Sequence, residues 1–286
     1  MARAMEGWRF AGHQRGSGGH SARMMNLFPV VRSALQQLSS VVWLLIHTVE
    51  EMGDHMLRGR FPFRLSIFFD QTDRTGVGSI PLVALVSFFI GLTMALLTGY
   101  QLQPFGQERL VPSLVAIGFT RELGPLMTGI MVAARVGAAY TAELGTMTVA
   151  EEVEAIEAMG LGPLRLLVSP RVLAVFLLMP CLSVVSSFMA MVGASLISRW
   201  AFDITFQGFA ETAMDSLLIR DIVAGVMKSF FFGLIIGLVA CYKGLTVRGG
   251  AAGVGTATTS SVVTAITTVI GFDTLFNIVL VALFDK

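Results

Sequence analysis

The chain has 286 residues, 54% of them hydrophobic and only 14% charged, with a mean hydropathy of +0.74 and a net charge of +1. Soluble domains carry about 25% charged residues, so the composition excludes an ordinary soluble enzyme and indicates an integral membrane protein. No basic cluster interleaved with aromatics occurs, which excludes a nucleic-acid partner. Cys181 and Cys241 fall inside apolar runs and read as small core residues, while His13, His20, His47 and His55 show no ligand spacing; no disulfide, metal site or catalytic group is implied.

Residues 1–25, rich in Arg, Gly, Ser and His, contain no apolar run. They read as a disordered leader and not a signal peptide, with Met24 or Met25 an alternative start. From Leu27 an apolar stripe through Val31, Leu35, Leu38, Val42, Leu45, Val49, Met52 and Met56 steps by three and four, the period of an amphipathic helix. Arg32, Glu50, Glu51 and Asp54 interrupt it, so residues 26–58 are predicted to lie along the cytoplasmic interface, with a short re-entrant segment at Val41–Ile46 as the competing view.

Five stretches are long and apolar enough to cross about 30 Å of hydrocarbon: 80–98, 114–142, 172–198, 222–242 and 262–284. The predicted fold is therefore all-α, with a five-span domain over 79–286. The second stretch carries Arg121, Glu122 and Arg135, and Pro125 can break it, so it is predicted to be polar inside and irregular. Thirteen Lys and Arg fall on the side of the N-terminus, and four, Arg109, Arg199, Arg220 and Lys286, on the other. The basic side is the retained one, which predicts a cytoplasmic N-terminus and a periplasmic C-terminus.

Between spans two and three lies TMTVAEEVEAIEAMGLGPLRLLVSPR, residues 146–171. Thr148 and Glu151 have capping-box spacing, and Gly160 and Pro163 supply a stop, which predicts a helix over 149–159. Val153, Ile156 and Met159 share one face; Glu151, Glu152, Glu154 and Glu157 occupy the rest. Such a helix lies outside the lipid and is either a solvated acidic loop or a surface presented to another protein.

No Gly-x-x-x-x-Gly-Lys-Ser/Thr motif occurs, so ATP binding through a P-loop is not expected of this chain. Gly249, Gly250, Gly253 and Gly255 open a membrane helix and do not form a dinucleotide fingerprint. The charges within spans are the stronger signal, because each costs about 2.5–3.5 kcal/mol at mid-bilayer without a partner or a wet cavity. Arg121, Glu122, Lys228 and Asp273 balance one another, and form either the polar wall of a cavity that handles a charged headgroup or an ion-pair network stapling spans two, four and five. Gly129, Ala133, Gly137 and Thr141, with Gly233 and Gly237, allow close helix approach, within one chain or across a homodimer.

Three segments, FTRELGPLMTGIMVAARVGAAYTAELGTM (119–147), EEVEAIEAMGLGPLRLLVSPRVLA (151–174) and GGAAGVGTATTSSVV (249–263), give the chain its resemblance to the MlaE (YrbE) family, the permeases of MCE-type lipid-transporting ABC systems. The family pattern has no need of the long Arg/Gly leader. The resemblance implies a homodimeric permease of the bacterial inner membrane with an interfacial N-terminal helix. It also implies a cytoplasmic ABC ATPase that holds ATP and Mg, a periplasmic MCE-domain protein and a small STAS-domain protein. It makes 149–159 a coupling helix seated on the ATPase through Glu151, Glu152, Glu154, Ile156, Glu157 and Met159, with Arg165 and Arg171 anchoring it at headgroup level. It places a lipid cavity along Leu92, Leu96, Tyr100 and Gln103, near Arg121, Glu122, Lys228 and Asp273. The expected function is phospholipid movement between the inner membrane and the MCE carrier, maintaining outer-membrane lipid asymmetry. An ion-coupled secondary transporter and a membrane scaffold for an ATPase or MCE complex are the alternatives.

Overall fold

Pro81, Pro112, Pro125 and Pro170 each sit in the first turn of a helix, where a missing backbone N–H leaves nothing unpaired. The structure, a computed structural model, describes residues 72–73 and 76–284. The predicted leader and interfacial helix lie outside the described residues. All described regular structure is helical: α1 Ile80–Leu102, α2 Val111–Gly118, α3 Gly124–Val132, α4 Ala138–Val149, α5 Glu152–Ala158, α6 Ser169–Phe202, α7 Phe206–Ser216, α8 Ile219–Leu245 and α9 Gly250–Phe284.

Helices α2, α3 and α4 follow one another through two π turns, Phe119–Leu123 and Ala133–Gly137, and act as a single long span over Glu108–Val149. With α1, α6, α8 and α9 they make, among the described residues, five helices long and apolar enough to cross a membrane. Because the path reverses at each connection, α5 and the α8–α9 turn share one end of the bundle, while the α1–α2 connection and α7 share the other. The helices run beyond the apolar stretches that identify them: hydropathy marks the hydrocarbon layer, and backbone hydrogen bonding continues past it.

Three apolar clusters fill successive levels. At the α7 end, Ala95, Val111, Val115, Ala194, Phe209 and Ala213 meet. The middle is built from Val132, Val136, Met179, Phe232, Ile236 and Val269. At the α5 end, Leu144, Leu167, Val168, Val172, Leu238 and Cys241 pack together. Helix α7, which hydropathy did not predict, is capped by Thr205, whose hydroxyl accepts from the Gly208 N–H at 3.1 Å. Phe209 and Ala213, one turn apart, tie it to the bundle.

Small residues let these backbones approach. A Cβ on Gly193 would stand 2.1 Å from the Phe88 carbonyl oxygen, and one on Gly91 the same distance from that of Ala190. Just before these contacts on both helices, Ser87 and Ser186 share a hydrogen bond of 2.7 Å. Gly129, Gly137, Gly233 and Gly237 face Phe232, Ile236, Val175 and Val172 of the same chain, so they serve packing within the chain. Forcing α1 off α6 with Gly193→Ala should cost about 1–3 kcal/mol, the usual range for overpacking. Its unfolding midpoint in detergent should fall, whereas Gly255→Ala, where a Cβ meets nothing within 4 Å, should not lower it, since alanine suits a helix better than glycine.

Candidate functional site

Gly225 begins the assembly of the charged site. Its missing side chain lets α8 lie against the first π turn, where a Cβ would be 2.2 Å from the Thr120 carbonyl oxygen. Three residues on, Lys228 is completely buried, and its Nζ donates to Glu122 Oε2 at 2.5 Å and to Asn277 Oδ1 at 2.6 Å. Asp273 Oδ1 stands 2.9 Å from the same nitrogen as a charge contact without hydrogen-bond alignment. The Asn277 amide returns a bond to Glu122 Oε2 at 3.0 Å. The Phe276 ring lies 5.6 Å from the ammonium, close enough for a cation–π contact.

Arg121 is held more loosely. Its guanidinium is 3.8 Å from Glu122 and 3.9 Å from Asp221, and its side chain remains 30% exposed. Asp221 is buried at the head of α8 and also accepts from the Leu218 N–H at 3.3 Å. The cluster thus holds two cations and three carboxylates, one negative charge in excess. Arg121, Glu122, Lys228 and Asp273 come together here. Asp221 and Asn277 are additions that the sequence reading did not contain. Arg135, on the second π turn, lies away from the cluster: it is exposed, with its Nη2 near Gly78.

Of the four residues predicted to line a cavity, Leu92, Leu96 and Tyr100 lie along α1 and Gln103 directly follows it. Leu92 and Leu96 are half-buried, Tyr100 and Gln103 are exposed, and the Tyr100 ring meets Phe202 edge-on at 6.1 Å. A separate apolar hollow of about 320 Å³, between the turn into α1 and the middle of α6, is lined by Val77, Ile80, Leu178, Cys181, Leu182 and Val185. None of the predicted site residues lines it.

Helix α5 is an acidic bracket. Val153 and Ile156 pack against the cluster of Leu144, Leu167, Val168 and Leu238, while Glu151, Glu152, Glu154, Glu157 and Met159 are exposed. The predicted capping box does not form. Thr148 belongs to the last turn of α4, where its hydroxyl donates to the Leu144 carbonyl at 2.8 Å and to that of Gly244 at 3.3 Å. Glu151 instead occupies the N-cap position of α5 in a left-handed conformation, φ 60°, so the helix starts at Glu152. Intrahelical back-bonding took the hydroxyl that the cap required. Arg165 lies exposed on the π turn Leu164–Val168 that follows. Arg171, expected to act as an anchor at headgroup level, is buried and paired with Glu143.

Five apolar crossings, an ion cluster inside the bundle and a short acidic helix at one end define an all-α, multi-pass membrane protein. The family model described as Permease MlaE matches residues 68–279. A probable ABC transporter permease protein of Rickettsia felis is 37% identical over 71% of this chain and 79% of its own length. A probable ABC transporter permease protein of Synechocystis is 34% identical over 74% of this chain and 80% of its own. The chloroplastic protein TRIGALACTOSYLDIACYLGLYCEROL 1 of Arabidopsis thaliana is 36% identical over 73% of this chain and 59% of its own. The chain belongs to the MlaE family of ABC transporter permeases.

Proposed function

We propose that this permease, paired as a homodimer and driven by a separate cytoplasmic ABC ATPase, moves a phospholipid or similar lipid between the bacterial inner membrane and a periplasmic MCE-domain carrier, and so maintains outer-membrane lipid asymmetry. A STAS-domain protein completes the assembly. ATP and Mg belong to the ATPase, and this chain supplies no cofactor site. The N-terminus is cytoplasmic and the C-terminus periplasmic, which puts α5 on the ATPase side.

The observation that carries the reading is α5 itself. A seven-residue helix turns its apolar edge into the bundle and its three glutamates, with Glu151 at its N-cap, outward, the form of a rigid handle that can be pushed by a neighbour. A lipid as cargo is supported by the glycerolipid in the name of the Arabidopsis relative. It is supported as well by the charged cluster, where Arg121 and Glu122 stay about one third exposed inside an apolar bundle and are available to a headgroup. Leu92, Leu96, Tyr100 and Gln103 would supply the acyl-chain wall.

Purification of the tagged permease from its own membranes should bring down an ATPase and an MCE-domain protein, with phospholipid in the extract. Recovery of the permease without an ATPase would overturn the reading. Uptake driven by an ion gradient without ATP would establish the carrier alternative, and an assembly that moves no lipid would establish the scaffold.

A further inference from the structure

The helices on either side of α5 are tied together by a side chain that the transport reading leaves unused. Arg171, in the first turn of α6, is only 8% exposed. Its Nη1 donates to the Leu167 carbonyl in the π turn at 2.9 Å, and its Nη2 donates to Glu143 Oε2 on α4 at 3.2 Å. The guanidinium also lies over the Tyr140 ring, 5.8 Å from its centre. Tyr140 and Glu143 are three residues apart and share a face of α4. A planar fork can hold all three partners at once, as a lysine could not.

The arrangement is poorly suited to simple cohesion. Arg171 Nε is buried without a hydrogen-bond partner, and an ion pair whose carboxylate stays 43% exposed adds little to stability. It is well suited to stiffness. The same stretch of α4 is locked to its other neighbours, since the Thr141 hydroxyl lies 3.1 Å from the Ala240 carbonyl oxygen of α8 and 2.8 Å from Ser261 of α9. A Cβ on Gly244 would be 2.7 Å from that of Leu144. In contrast, α5 is bounded by two left-handed joints, Glu151 at φ 60° and Gly160 at φ 76°. A jointed tip stands on a fused root.

We propose that Arg171, with Glu143 and Tyr140, forms a positioning knot for energy coupling. It makes the bases of α4 and α6 one lever, so that a displacement of α5 passes to both helices instead of being absorbed between them. This rests on the reading of α5 as the seat of the ATPase.

The test is the number of lipid molecules moved per ATP hydrolysed by the complete transporter in vesicles. Arg171→Lys and Glu143→Gln should each lower that ratio at least about fivefold, the lower edge of ordinary coupling between sites, while the ATPase still co-purifies and hydrolyses ATP. A purely structural role would reduce yield, hydrolysis and transport in equal proportion and leave the ratio unchanged, and an unchanged ratio overturns the knot. If the buried Arg171→Lys change prevents folding, Glu143→Gln decides alone, since the Glu143 side chain is 43% exposed. Absence of an ATPase from the unaltered complex would instead sink the docking reading, a result distinct from an unchanged ratio.

Discussion

Lys228→Met should destabilise the permease by about 3–5 kcal/mol, the cost of leaving one half of a buried ion pair uncompensated. The completely buried ammonium touches Glu122, Asp273 and Asn277. Without it, two carboxylates from different spans face each other across an apolar interior, and the excess of negative charge grows from one to two. The unfolding midpoint in detergent should fall accordingly. The triple variant Glu122→Gln, Lys228→Met, Asp273→Asn removes all three charges and should regain most of that stability. Lipid transport by the triple variant then separates the two roles of the cluster. A staple needs only the restored packing and would transport normally; a headgroup wall needs the charges and would lose transport by about tenfold or more, the scale of a lost charged contact.

The second large effect lies outside the apolar layer. Reversing charge with Glu151→Lys and Glu154→Lys should cut the ATPase co-purifying with the tagged permease by about tenfold or more, because like charges brought together at an interface cost several kcal/mol. Both side chains are exposed, so the permease fold should lose no more than about 1–2 kcal/mol, the helix-dipole cost of two lysines at the start of α5. Loss of the ATPase with a melting midpoint lowered only slightly is the expected pair of readings. Undiminished co-purification would show that α5 is not the contact.

Much of this was legible because a membrane imposes strict rules on a chain. Long apolar stretches located the five crossings, and the few charges within them, Arg121, Glu122, Lys228 and Asp273, marked the cluster, since none is tolerated there without a partner. Asn277 escaped notice because it carries no charge, although it sits four residues after Asp273 on the same face of α9. Asp221 resembled an ordinary helix start. The irregularity of the second crossing was anticipated from Pro125, but the backbone takes it up in π turns at Phe119–Leu123 and Ala133–Gly137, while the proline opens α3.

Arg171 shows where such reading stops. An arginine at the border between polar and apolar sequence looks the same whether it reaches for a headgroup or for a carboxylate, and its partner Glu143 lies 28 residues earlier on another helix. Thr148 and Glu151 had the spacing of a capping box, but nothing in that spacing revealed that α4 would continue through Thr148 and break only at Ala150. Helix α7 was hidden for a similar reason, its eleven residues mixing polar and apolar character too evenly for hydropathy to register.

The most direct measurement of the whole account is transfer of a labelled phospholipid out of vesicles that hold the complete transporter, with the ATPase either active or mutated in its catalytic carboxylate. Transfer that requires both ATP and the active ATPase, and that fails when α5 carries Glu151→Lys and Glu154→Lys, is the predicted result. Transfer at the same rate without ATP hydrolysis, or no transfer under any condition, would contradict it.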